Sequence, residues 1–352
     1  MLIAIIIGIV VLSVLIIVHE LGHFITAKAS GIWVEEFGLG FPPRLYGKKW
    51  GDTVYSINWI PFGGFNKLSG EVDPSAPRSL ASKGYSVRLL VLSGGILMNI
   101  LLPFVLLSMA FMIPHDVVTG QIVVEDVNPG SPAAMAGIEP GDTLLSVNDK
   151  PLNSVGDLAR YIQLNLGKEI TISVKHSDLA TEEVKLVPRW RPPEGQGAIG
   201  ILYRTVNPTI VSESYPFWQA IPIGVRSCIE TLVLYKNGII GVIIGTVPLT
   251  PAGPVGIVHV TSEVAQAGIS PLLELVAFIS IAIAITQLIP FPALDGGRIL
   301  FVLLQMIRRG KRVSVKTEEI VHLIGFFTVL AIAVAITYQD IIRIITGESL
   351  LK

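Results

Sequence analysis

Four long stretches of this chain carry almost no charge, and a fold bathed only in water has no place for them. They run over 1–27, 89–113, 271–297 and 320–346, each about the length that crosses the hydrocarbon core of a bilayer as a helix. The 352 residues are 51% hydrophobic and only 15% charged, with a mean hydropathy of +0.65, outside the usual range of soluble domains. The chain therefore reads as a polytopic α-helical membrane protein with about four transmembrane helices. The apolar start has no basic n-region and runs into His19-Glu20 rather than a small-residue cleavage site, so it reads as a retained helix. The stretch 237–262 is also uncharged and long enough to span. It carries Pro248, Pro251 and Pro254 with five glycines, and one lipid-exposed helix of that composition does not satisfy its own backbone. A re-entrant or amphipathic element inside a linker, 191–270, is expected instead.

The remaining segments differ in character. The loop 28–88 is rich in Gly, Pro and aromatics, with a β-prone run at 53–60 followed by a turn at Pro61-Phe62-Gly63-Gly64. Residues 118–190 read as a soluble α+β module, with strands near 121–127, 143–147, 169–174 and 183–187 around a helix at 155–164. Loop 28–88 holds eight basic residues against five acidic ones, whereas 114–220 holds eight against thirteen. The loop 298–319 adds Arg308, Arg309, Lys311, Arg312 and Lys316. By the positive-inside rule both basic loops are cytoplasmic, and the module and the amino terminus lie outside. A net charge of −1 gives no footprint for nucleic acid. The single cysteine, Cys228, allows no intramolecular disulfide and no cysteine-rich metal site, so any metal is held by His, Asp or Glu.

His19-Glu20-Leu21-Gly22-His23 supplies such a site. Two histidines four apart lie on one helical face, close enough to give one Zn²⁺ a nitrogen each, and Glu20 stands beside them to take a proton from water. Three ionisable groups in one membrane helix are a functional signal by default. A catalytic zinc takes three protein ligands, and the first span offers two. Asp295, in Pro290-Phe291-Pro292-Ala293-Leu294-Asp295-Gly296-Gly297, is the candidate third; capping the following helix or pairing with Arg298 are its alternatives. His19 lies about 25 Å along its helix, in the cytoplasmic half. Asp295 reaches that side only if 237–262 does not cross. His115, His176, His259 and His322 are scattered singly and read as structural or solvated.

With these residues in place, the chain resembles the site-2 proteases, intramembrane zinc metalloproteases, in the bacterial form that carries a PDZ domain. The likeness rests on HELGH at 19–23, the glycine-rich loop ending Pro61-Phe62-Gly63-Gly64, Gly95-Ile96-Leu97-Met98-Asn99, Gly253-Pro254-Val255-Gly256-Ile257 and Leu294-Asp295-Gly296. It implies His19, His23 and Asp295 as zinc ligands, Glu20 as catalytic base, and Asn99, Gln287, Gly63 and Gly64 as substrate-binding positions. Gln287 stands where the family commonly has Asn in an Asn-x-x-Pro pattern, keeping the amide on a side chain one methylene longer. The module resembles PDZ domains through Ser131-Pro132-Ala133-Ala134 and Gly137-Ile138-Glu139-Pro140-Gly141-Asp142, which implies peptide-tail binding or size filtering.

The implied activity is regulated intramembrane proteolysis of single-span membrane proteins, such as anti-sigma factors or signal-peptide remnants, in the bacterial cytoplasmic (inner) membrane. An exposed edge at 53–60 would hold the unwound substrate beside the zinc. Two rival readings are a scaffold with a closed structural zinc and a metal transporter. The first requires a fourth ligand and the second polar residues along other spans, and neither is evident.

Overall fold

The computed structural model describes residues 2–248 and 250–346. Four of its helices are long and apolar enough to cross a membrane: α1 (Leu2–Ala29), α2 (Tyr85–Met112), α7 (Ile269–Leu288) and α9 (Val315–Thr346). The others are α3 (Pro132–Met135), α4 (Val155–Leu164), α5 (Phe217–Ile243), α6 (Pro254–Gln266) and α8 (Asp295–Ile307). The strands are β1 (Val34–Trp50), β2 (Thr53–Leu68), β3 (His115–Val127), β4 (Thr143–Val147), β5 (Lys150–Pro151), β6 (Ile170–Lys175), β7 (Thr181–Leu186) and β8 (Ile201–Glu213). The chain divides into one unit of 1–110, 220–225 and 251–352 and a second of 111–219 and 226–250.

In the first unit α1 stops where Gly31 turns left-handed (φ +67°) and Ile32 N–H donates back to the Ala27 carbonyl, a wide turn that closes a helix end. The antiparallel pair β1–β2 follows. Its register is folded over: Glu36 to Leu39 pair with Lys67 to Gly64 on one side and with Val54 to Ile57 on the other. Arg44 to Trp50 then cover the far side of Asn58 to Thr53. Residues 54–57 therefore have neighbours on both sides. Two edges, 44–50 and 64–68, pair on one side only among the described residues, and 64–68 is the free edge that reaches α1 through Asn66. The expected edge at 53–60 is corrected by this register, which only the return of 44–50 creates.

Helix α7 ends at Leu288, earlier than the span expected to 297. Pro290 and Pro292 donate no backbone hydrogen bonds, and the chain turns before starting α8 at Asp295, inside what reads in sequence as a loop. The stretch 237–262 is not one helix. Helix α5 ends at Ile243, and α6 begins at Pro254, where proline suits the first helical turn. The amides of Gly253 and Gly256 donate to the Asp340 carboxylate at 2.9 and 2.8 Å, which stabilises a fully buried acid in apolar α9.

In the second unit the strand order is β7-β6-β4-β3-β8, with β5 paired to β4. Alternate residues of β6, Ile170, Ile172 and Val174, are buried against Leu158 and Ile162 of α4. Ser154 and Asp157 form a capping box that starts α4. The sheet runs on to Glu213, beyond the residue near 190 expected from sequence.

Candidate metal centre

His19 and His23 leave α1 on the same face, one turn apart, and both are buried (5% and 8% exposed). Asp295 meets them from the first residue of α8. Its Oδ2 is 3.1 Å from His19 Nε2 and 3.1 Å from His23 Nε2, and the two nitrogens are 3.3 Å apart. A tetrahedral zinc with Zn–N of about 2.0–2.1 Å sets its ligand atoms about 3.3–3.4 Å apart. The three atoms thus lie close to three corners of such a site. They are the one group of three or more potential ligands among the described residues.

The groups behind the imidazoles prepare them for a metal. His23 Nδ1 lies 2.8 Å from the Val91 carbonyl of α2. A carbonyl only accepts, so Nδ1 carries the proton and Nε2 presents its lone pair. Asn99 Nδ2 lies 3.3 Å from His19 Nδ1, and Asn99 Oδ1 is buried without a hydrogen-bond partner. Turning the carboxamide over lets Oδ1 accept from Nδ1–H and leaves Nε2 of His19 free for the same use. Asn99 is fully buried and faces His19 rather than the cavity, which differs from the substrate contact expected of it.

A cavity of about 220 Å³ holds His19, Glu20, His23 and Asp295 in its wall. Glu20, Glu71 and Asp295 set three carboxylates against one guanidinium, Arg298, in that wall. With neutral imidazoles the net charge is −2, which a divalent cation balances. Arg298 pairs with Glu71 at 2.6 Å and not with Asp295. Gln287 also lines the cavity, and its Oε1 accepts from Asp295 N–H at 3.4 Å, so it steadies the start of α8. Gly63 and Gly64 stand off the cavity. A Cβ on Gly63 would meet Ile16 of α1 at 2.9 Å, and one on Gly64 would meet the Gly38 carbonyl at 2.8 Å. Gly63 lets the strand approach α1 closely, and Gly64 lets it approach β1. Beyond them on the free edge, Phe65, Asn66 and Leu68 enter the cavity wall, and the Asn66 amide reaches the Glu20 carbonyl at 3.5 Å.

The sequence marks Gly95 of α2 only as part of the run Gly95 to Asn99, with no role of its own at the site. A Cβ there would lie 2.6 Å from His23 Nε2 and 2.7 Å from His19 Nε2, in the space the two ligand atoms share. Gly95→Ala is expected to weaken zinc binding by at least about tenfold, a change of second-shell size. Chelator competition measures it, and wild-type affinity in the variant would contradict this geometry. Glu71 was likewise missed. Its pairing with Arg298 spans 227 positions of sequence, and no local pattern signals it.

The description of peptidase family M50 matches residues 7–332. A protein of Clostridium perfringens named "Putative zinc metalloprotease" is 36% identical, over 96% of this chain and 98% of its own. One of the same name from Clostridium acetobutylicum is 32% identical over 96% and 97%. The Regulator of sigma-W protease RasP of Bacillus subtilis is 26% identical over 96% and 97%. Among solved structures, the PDZ domain of an SdrC-like protein from Listeria innocua is 24% identical and covers 25% of this chain and 97% of its own, at a TM-score of 0.22.

Proposed function

Because the chain belongs to peptidase family M50, and is thus a metallopeptidase, we propose that it is a membrane-embedded zinc endopeptidase that hydrolyses a peptide bond in or beside a transmembrane segment of another protein. The observation that carries this reading is the convergence of His19, His23 and Asp295, at 3.1–3.3 Å, on a helix apolar enough to span a membrane. His19, His23 and Asp295 would hold the zinc, and the chemistry it supplies is Lewis acidity, which polarises a carbonyl and acidifies a water.

The chain's own residues do the rest. Glu20 accepts a proton as water adds to the scissile carbonyl carbon. It returns that proton to the amine as the C–N bond breaks, and the second water proton passes from the new carboxyl group to the amine, leaving a carboxylate and an ammonium. Three protein ligands leave a coordination position open, as catalysis needs and a purely structural zinc does not.

A helical substrate hides its carbonyls in its own hydrogen bonds, so it must be unwound before attack. The edge 64–68 is the strand proposed to hold the unwound stretch by added pairing, since Phe65, Asn66 and Leu68 adjoin Glu20 and the ligands in one cavity wall. Of two neighbouring residues on an edge, one turns its N–H outward. In liposomes holding a single-span substrate, one of Phe65→Pro and Asn66→Pro is expected to slow cleavage by about threefold to tenfold, the effect of one hydrogen bond, with zinc retained. Unchanged cleavage in both variants would remove the edge from the mechanism.

Single-span membrane proteins are the proposed substrates, in regulated intramembrane proteolysis. The likeness to RasP, whose name describes it as a regulator of sigma-W, supports a membrane-bound anti-sigma factor or a signal-peptide remnant as examples. The charge asymmetry of the loops supports the bacterial cytoplasmic membrane, with the site toward the cytoplasm and the six-stranded unit outside. That unit is proposed to be a PDZ domain, taking a peptide tail or screening substrates by size.

A further inference from the structure

Asp295 is delivered by six residues, Ile289 to Leu294, that belong to neither helix they join. Within them Ala293 has φ +80°, a left-handed conformation that an alanine rarely adopts. An unstrained φ at this position would redirect the chain two residues before the ligand. Inside the turn, Leu294 N–H donates to the Phe291 carbonyl at 3.1 Å, with Ala293 at the third turn position; from outside it, the shortest polar tether comes from α9. Ala293 N–H donates to His322 Nδ1 at 3.0 Å, across 29 residues. By contrast, the bond from Asp295 N–H to Gln287 is 3.4 Å.

The imidazole is itself set in place. The ring of Phe301, from α8, lies 5.4 Å from it, centroid to centroid. Because Nδ1 accepts, the ring is neutral with its proton on Nε2, a buried atom with no hydrogen-bond partner. One turn along α9, buried Gly325 lies against the turn so closely that a Cβ would overlap the Pro292 carbonyl. Helix α9 adds no side chain to the wall of the catalytic cavity, yet it touches the turn at consecutive residues, Pro292 and Ala293.

We propose that His322 is a positioning residue for the metal site: its Nδ1 holds Ala293 in the left-handed conformation, and that conformation aims the Asp295 carboxylate at the two imidazoles. This rests on the reading of Asp295 as a zinc ligand. The sequence shows His322 as an isolated histidine in an apolar helix. Its partner is a backbone amide, and a backbone amide leaves no mark in the pattern of side chains.

The test is the rate at which a chelator removes zinc from the full-length protein in detergent. His322→Phe keeps a ring beside Phe301 and lacks the acceptor, and it is expected to release zinc about 10–100-fold faster, the scale of second-shell losses. His322→Asn restores an acceptor near the Nδ1 position and should stay within about threefold of wild type. Glycine adopts a positive φ without strain, so Ala293→Gly placed in the His322→Phe background should recover most of the loss.

A role in helix packing alone would lower the melting temperature of His322→Phe and give no recovery from Ala293→Gly. Should His322→Phe yield no folded protein, His322→Leu takes its place in the same comparison. Wild-type release in the acceptor-free variant, or a loss that neither Asn nor Ala293→Gly relieves, overturns the proposal. Asp295→Asn run alongside separates the two claims. Wild-type zinc release in that variant would mean that the ligand reading itself has failed.

Discussion

Glu20→Gln retains wild-type zinc content and loses about 10²–10⁴-fold in the rate of peptide hydrolysis, the range a positioned general base supplies. Glutamine matches glutamate in size and lines the cavity equally well, so His19, His23 and Asp295 keep their mutual distances. The variant loses the one property the mechanism asks of the side chain, a carboxylate that takes a proton and gives it back. Zinc content by elemental analysis and cleavage in liposomes, measured on one preparation, check both halves. Cleavage at the wild-type rate would show that another group moves the proton. Loss of zinc together with activity would move Glu20 into the ligand set.

Asp295→Ala is expected to lose zinc itself, with affinity reduced by more than the roughly 10–100-fold that second-shell changes cause. Two imidazoles one turn apart remain, and Asp295 Oδ2 is the atom that closes the triangle at 3.1 Å to each. The substitution also removes one of three cavity carboxylates and half of the net charge that a divalent cation balances. Activity should disappear with the metal. Excess zinc restores it only partly, because the site then holds a cation with two protein ligands. Chelator competition by wild type and variant measures the difference, and equal affinities would exclude Asp295 from the site.

What is local in the sequence is legible there. His19 and His23 share a face because helix geometry repeats every 3.6 residues, and the four apolar helices declare themselves by length and lack of charge. Strands β4 and β6 and helix α4 follow from short-range pattern as well. Pairing between distant segments is not legible in this way. The run at 53–60 reads as a β-prone edge, yet 44–50 and 36–39 cover both sides of 54–57, and the free edge beside α1 is 64–68.

Helix α8 is hidden for a similar reason. Its thirteen residues follow two prolines and open on Asp295-Gly296-Gly297, a run that looks like a loop, and the turn before it is packed against α9 through Gly325 and His322. Arg298 offers Asp295 a plausible local partner three residues away, but the structure pairs it with Glu71. Asn99 is recognisable as part of the site from the resemblance. Its orientation behind His19 appears only once α2 is packed against α1.

The measurement that bears most directly on the whole account is the mass of the fragments released from a panel of single-span membrane proteins in liposomes holding the purified protein, read against Glu20→Gln. The account predicts fragments whose new ends lie within or immediately beside the substrate's transmembrane segment, formed by wild type and not by Glu20→Gln. Fragments cut in a soluble tail far from the membrane, or identical fragments from Glu20→Gln, would contradict it.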